Sequence, residues 1–131
     1  MVAGWLAAVS VRAATPPPEE TGRKAAEEWL ALVDAGKYPE SWEKMDAGFK
    51  KQISKRKWAS AIAGIRAPLG KVATRGFKSA QYSKELPGAP EGEYVVVQFA
   101  TAFGQKKAAT ETVTLILGQD LYWRVSSYSV R

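Results

Sequence analysis

With no Cys and no His anywhere in the chain, any chemistry it performs falls to Asp, Glu, Lys, Tyr, Ser or Thr. That removes thiol nucleophiles, thiolate metal sites, disulfides, and the commonest general base and transition-metal ligand. No Ser-His-Asp or Cys-His arrangement can form within it. No Asp/Glu cluster has calcium-loop spacing, so no metal and no cofactor is expected. One carboxylate stands apart. Glu111 lies in "AATETVTLIL" with the parity of Val113 and Leu115, so it points to the same side of a strand as those apolar residues. Burial disfavours the charged form of a carboxylate and can equip it as a general base. Near a strand end it pairs with an Arg or Lys at the rim instead. No second acid or base partner can be named, so the rim pair is the expectation and Glu111 remains a weak catalytic candidate.

Three other groups invite a binding reading. "WLALVDAGKYPESWEKM", residues 29–45, brings Trp29, Tyr38 and Trp42 near Asp34 and Glu40. These are the parts of a ring- or sugar-binding platform. Aromatics at helical spacing are more often core, so packing is the expectation, with Asp34 holding the turn at Gly36. "KKQISKRK", residues 50–57, carries Lys50, Lys51, Lys55, Arg56 and Lys57 in a chain of net charge +6. Such a patch suits an anionic surface. No stacking aromatics or nucleic-acid motif accompany it, so nucleic acid is not an expected partner. Last, one face of the strands described below is rich in Tyr and Thr. Tyr94, Thr112, Tyr122, Arg124 and Tyr128 are its candidate anchors, because Tyr and Arg favour protein interfaces.

The elements that must position these residues follow from periodicity. From Glu19, Ala25, Ala26, Trp29, Leu32 and Val33 recur at helical spacing, and Gly36 stops the helix. Pro39 starts a short second helix through "PESWEKM". A further helical turn is expected over 47–53. Ser54 caps a third main helix running to about residue 67, with Trp58, Ala61, Ile62, Ile65 and Leu69 as its stripe. Beyond Pro68 and Gly70 the period falls to two. Four strands follow: "VATRGFKSAQYSKEL", with Gly76 a possible bulge, then "EYVVVQFATAF", "AATETVTLIL" and "LYWRVSSYSV". "LPGAPEG", "GQKK" and "GQD" connect them. Val95, Val97, Phe99, Phe103, Val113, Leu115, Leu117, Leu121, Trp123 and Val125 should face the helices. The expected architecture is α+β, with three N-terminal helices packed on one face of a four-stranded antiparallel curved meander sheet.

Trp29-Leu30, Leu32-Val33-Asp34, Gly36, Tyr38, Ser41-Trp42, Pro68-Leu69-Gly70, Leu86-Pro87-Gly88, Pro90, Gly92, Tyr94, Glu111-Thr112-Val113, Trp123-Arg124-Val125 and Tyr128 occur in this order. The pattern resembles an exported bacterial family, domain of unknown function 4019, from about residue 25 to 131. The resemblance implies a small domain that follows a signal peptide, and it brings no catalytic residues to transfer. By topology alone, the helices and curved sheet are similar to the nuclear-transport-factor-like, or cystatin-like, fold.

The first residues fit that implication. An apolar run over 2–11, then small residues and Pro16-Pro17-Pro18, reads as a secretory signal cut after Ala13. The expected organisation is a signal-peptide-like segment over 1–13, a Pro-rich linker over 14–20 and one domain over 21–131. No transmembrane anchor remains after cleavage, and the expected location is periplasmic or secreted. The functional expectation is a non-enzymatic module that uses its open sheet face to bind a protein partner or a second copy. The alternatives are a small-ligand or isomerase-like domain with Glu111 in a pocket between helices and sheet, and a basic module for anionic envelope components.

Overall fold

Pro18 opens the first helix. It sits at the first helical position, where its missing N–H costs nothing, and Glu19 and Glu20 complement the helix dipole in the first turn. The expected linker therefore gives up Pro18, Glu19 and Glu20 to α1 (Pro18–Asp34). The structure, a computed structural model, describes residues 15–131. The signal-like segment over 1–13 and its cleavage point lie outside the described residues. After α1 come α2 (Tyr38–Glu43), α3 (Ala47–Gln52), α4 (Lys55–Arg66) and a 3-10 turn (Ala67–Leu69). The helical turn expected over 47–53 is α3, capped by the Asp46 carboxylate on the Gly48 and Phe49 N–H groups. Ser54 caps α4 as its sequence position requires, accepting from Lys57 N–H at 3.2 Å. Gly36 takes a φ of 74° just beyond α1.

Strands β1 (Val72–Ser83), β2 (Tyr94–Phe103), β3 (Lys106–Leu117) and β4 (Trp123–Val130) form one antiparallel meander in chain order. α1 crosses one face of all four strands. The fold is α+β, helices first and then the open sheet. The core lies between α1 and the sheet, around Trp29, Leu30, Val33, Val95, Val97, Val113, Leu115 and Val125. No helix among the described residues is long and apolar enough to cross a membrane.

Several details depart from the sequence expectation. The bulges in β1 lie at Ala73 and Lys78, on either side of Gly76, which itself pairs with Ala100. The buried stripe of α1 is Gly22, Ala26, Trp29, Leu30 and Val33; Ala25 and Leu32 are turned to its flank. On α4 the buried residues are Trp58, Ile62 and Arg66, while Ile65 is 41% exposed. Leu121 does not face the helices. It lies in the turn before β4, 76% exposed, with a φ of 67°. A bulge at Ser126 shifts the β3–β4 register, so residues beyond it point opposite to the simple alternation.

Candidate functional site

The stretch at 29–45 is a packing joint. Ser41, fully buried, receives the Trp29 Nε1–H on its carbonyl at 3.0 Å and the Trp58 Nε1–H on its Oγ at 2.9 Å. Its own hydroxyl donates to the Tyr38 carbonyl at 2.6 Å. Trp42 Nε1–H donates to the Ile53 carbonyl at 2.9 Å and ties α2 to the end of α3. Each indole thus packs with its one polar atom satisfied, which is how a core uses Trp.

Beside that joint runs an ionic network to which six elements each contribute one residue: Asp34 of α1, Arg66 of α4, Arg75 of β1, Thr101 of β2, Glu111 of β3 and Tyr128 of β4. Glu111 is 0% exposed. Its Oε1 accepts from Arg75 Nε at 2.7 Å and Thr101 Oγ1 at 2.5 Å. Its Oε2 accepts from Arg75 Nη2 at 3.2 Å and the Tyr128 hydroxyl at 2.5 Å. Arg75 also grips Asp34 through Nη1 at 2.6 Å and Nη2 at 3.0 Å. Arg66 Nη2 meets the same Asp34 at 2.8 Å, and its guanidinium lies 5.0 Å from the Phe103 ring. Two arginines face two carboxylates, so the charges of the network balance, with Glu111 and Arg66 buried and Asp34 at the solvent end.

This corrects three expectations. Glu111 does pair with an Arg, but deep in the structure and not at the rim. Its carboxylate takes four donors, leaving no lone pair for a substrate proton, and Glu111 lines none of the four clefts described on this molecule. The alternative reading, a pocket between helices and sheet with Glu111 inside it, therefore loses its carboxylate. Asp34 does not hold the Gly36 turn; it joins the two arginines. Burial works to raise its pKa, but the hydrogen bonds and charges of Arg75 and Arg66 outweigh that and hold it below the usual carboxylate value. Tyr128 does not lie on the open face. The Ser126 bulge swings it to the helix side, with its ring 5.3 Å from Trp29. Burial, then the Glu111 charge and hydrogen bond, push its phenol well above the usual tyrosine value.

The other sheet-face candidates also separate. Tyr94 is 2% exposed, because the 86–92 turn folds over it and the Pro90 carbonyl accepts its hydroxyl at 2.6 Å. Thr112 stays on the open face, accepting from Gln98 Nε2 at 3.2 Å. Tyr122, 68% exposed, and Arg124 sit at the β3–β4 hairpin. There Asp120 accepts the Tyr122 N–H at 3.2 Å and two Arg124 N–H groups at 2.9 and 2.6 Å. The Arg124 bonds, then that backbone bond, pull the Asp120 carboxyl down to about 2. These contacts hold Leu121 in its left-handed conformation, which costs about 1 kcal/mol for a non-Gly residue.

The hairpin borders a cleft of about 560 Å³ between α1, α3 and β4. Ala25 and Leu32 of α1, Trp123 and Val125 of β4, and Tyr122 are its apolar surfaces; Glu28, Glu43, Lys44, Lys50 and Arg124 are its charged ones. Lys50 of the basic segment therefore meets Tyr122 and Arg124 of the sheet set in one place. Periodicity gave no sign of this, because α3 reaches β4 through tertiary contacts alone: Asp46 N–H on the Val125 carbonyl at 2.9 Å and a bridge from Met45 to Val125. Elsewhere in the basic segment Lys55 pairs with Glu43 at 2.6 Å, and Lys51, Arg56 and Lys57 are exposed. Among the described residues no group of His, Cys, Asp and Glu is arranged to hold a metal ion.

Among curated proteins none is similar to this chain in sequence. Among solved structures, the 1.8 Å structure of Aln2 from a Streptomyces species is similar with a TM-score of 0.53, covering 88% of this chain and 92% of that one at 11% identity. At that identity the likeness is one of fold, and it agrees with the nuclear-transport-factor-like arrangement that the order of elements suggests. Over residues 25–128 the sequence matches the model described as "Protein of unknown function (DUF4019)", and the chain belongs to that family.

Proposed function

We propose that the domain is a non-enzymatic interaction module that pairs with a second copy of itself through the outer face of its sheet. The observation that carries this reading is the lack of charge on that face. Its cross-strand rows are Gly76–Ala100–Thr110–Arg131, Ser79–Gln98–Thr112–Ser129, Gln81–Val96–Thr114–Ser127 and Ser83–Tyr94–Ile116–Arg124, the last with Tyr94 beneath the 86–92 turn. In a chain that is 24% charged, these rows carry charge only at the two ends of β4, on Arg124 and Arg131. Depletion of charge is the compositional mark of an interface core. A face of small hydroxyl, amide and methyl groups is complementary to itself, as an isologous contact requires. A four-stranded face about ten residues long covers on the order of 600 Å², near the roughly 800 Å² per partner of a standard interface. The sealed, fully bonded Glu111 supports the non-enzymatic part. The apolar run at 2–11 supports export, and the reading takes the module to act in the periplasm or outside the cell.

Native mass spectrometry and light scattering across a concentration series test the pairing. The expected result is a dimer that Thr112→Lys converts to a monomer with an unchanged circular-dichroism spectrum, since two new ammonium groups meet at the centre of the face. A chain that stays monomeric at high micromolar concentration, or a dimer indifferent to Thr112→Lys, sinks the reading.

A further inference from the structure

The cleft between α1, α3 and the start of β4 lies apart from the ionic network and shares only Arg124 with the rows of the sheet face. Its volume of about 560 Å³ lies within the range of small-molecule sites. Leu32 would be expected in the core from helical spacing, yet it is turned out of the buried stripe and lines the cleft. Trp123 stands opposite on β4. Tyr122 forms a third apolar wall, held out by a hairpin whose Leu121 is in a conformation that persists only when its surroundings over-determine it. Asp120 supplies that constraint through its bonds to Tyr122 and Arg124. The wall is therefore fixed before any ligand arrives, which lowers the ordering cost of binding.

The charges around these walls leave a surplus of one sign. Of the lining carboxylates, Glu43 is neutralised by Lys55 at 2.6 Å, and Glu28 has no cation paired to it among the described residues. Of the lining cations, Arg124 is taken up by Asp120 at 2.6 Å. Among the described residues, Lys44 and Lys50 remain without a carboxylate partner. Lys50 Nζ is anchored by the Glu43 carbonyl at 3.2 Å, a neutral acceptor that fixes its position and leaves its charge in place. With Glu28 counted against Lys44 and Lys50, the rim keeps a surplus of one positive charge beside the apolar walls, so the cleft selects by shape and charge together.

We propose that this cleft binds a small molecule carrying a flat apolar ring and an anionic group. The ring lies among Leu32, Tyr122 and Trp123, and the anion meets Lys44 and Lys50. The test uses 8-anilinonaphthalene-1-sulfonate, an anionic ring compound, titrated into the full chain and read by its fluorescence. The expected result is saturable one-to-one binding. It weakens about tenfold or more in the double variant Lys44→Glu with Lys50→Glu, as the loss of charge-assisted contacts requires. It also weakens in Tyr122→Ala, and it is unchanged in Lys107→Glu, which lies away from the cleft. Circular dichroism confirms that each variant is folded; Tyr122 and both lysines lie outside the buried core, so folding is retained. Absence of a saturable signal, or equal affinity in the parent chain and in the cleft variants, overturns the proposal.

Discussion

Glu111→Gln is the perturbation that separates a structural ion network from an ordinary surface pair. The substitution is nearly isosteric, so it creates no cavity. It removes the fully buried negative charge of the network and puts an amide NH2 where the carboxylate faced four donors. At least one of the Arg75, Thr101 and Tyr128 bonds must be lost, donor against donor. Arg75 keeps Asp34, but two arginines then share one carboxylate. Removing one partner of a buried ion pair costs about 3–5 kcal/mol, most of it from the charge left uncompensated. Against a total stability of about 5–15 kcal/mol that is a large share, and it lowers the melting temperature by roughly 12–20 °C for a domain of this size. Urea unfolding followed by tryptophan fluorescence reads the change, with Glu43→Gln as control. Glu43 and Lys55 form an exposed pair with side chains 53% and 46% accessible, so that control should leave the urea midpoint nearly unmoved. If Glu111→Gln costs no more than the control, the network does not hold the fold together.

Two further perturbations follow from the same structure. A Cβ on Gly22 would stand 2.8 Å from Val95 Cβ and Cγ1, whereas one on Gly64 would meet nothing within 4 Å. Gly22→Ala should therefore lose about 1–2 kcal/mol through overpacking, while Gly64→Ala gains up to about 1 kcal/mol from helix propensity; urea midpoints of the two variants should move in opposite directions. The raised phenol of Tyr128 sets an alkaline limit. Its contribution is fully present below the unfolded value of about 10, and it is lost as pH rises towards the higher folded value, because the unfolded chain ionises first. Stability measured from pH 8 to 11 should fall more steeply in the parent chain than in Tyr128→Phe, and parallel slopes would count against the buried phenol–carboxylate bond.

Local rules carried the architecture. Gly36, Pro39 and Ser54 are punctuation whose meaning is set by backbone sterics and capping within a few residues, so the helix boundaries they imply agree with α1, α2 and α4 to within a residue or two. Alternation in "EYVVVQFATAF" placed Val95, Val97, Phe99 and Phe103 correctly, because β2 is central and free of bulges against β3 from Tyr94 to Thr101. The parity of Glu111 was read correctly for the same reason. Its partners were not legible. Arg75 is 36 residues away and Tyr128 reaches it only because the Ser126 bulge reverses the alternation of β4. A bulge of that kind leaves no Gly or Pro to mark it.

What the sequence determined by itself was the menu: an α+β chain in helix-then-sheet order, with no thiol or imidazole chemistry and a net positive charge. Those properties depend on composition and on contacts between near neighbours in the chain. The tertiary structure decided where the polar residues went. It buried Arg66 where helical spacing favoured Ile65: its Nη2 reaches Asp34 and its guanidinium lies over Phe103, while Nε and Nη1 are buried without a hydrogen-bond partner, an outcome that a helix wheel cannot show. It covered Tyr94 with a turn, and it placed Lys50 and Tyr122, from two elements far apart in the chain, around one cleft. Each of these outcomes depends on which distant groups meet when α1 and the sheet close on each other, and one-dimensional periodicity holds no term for that meeting.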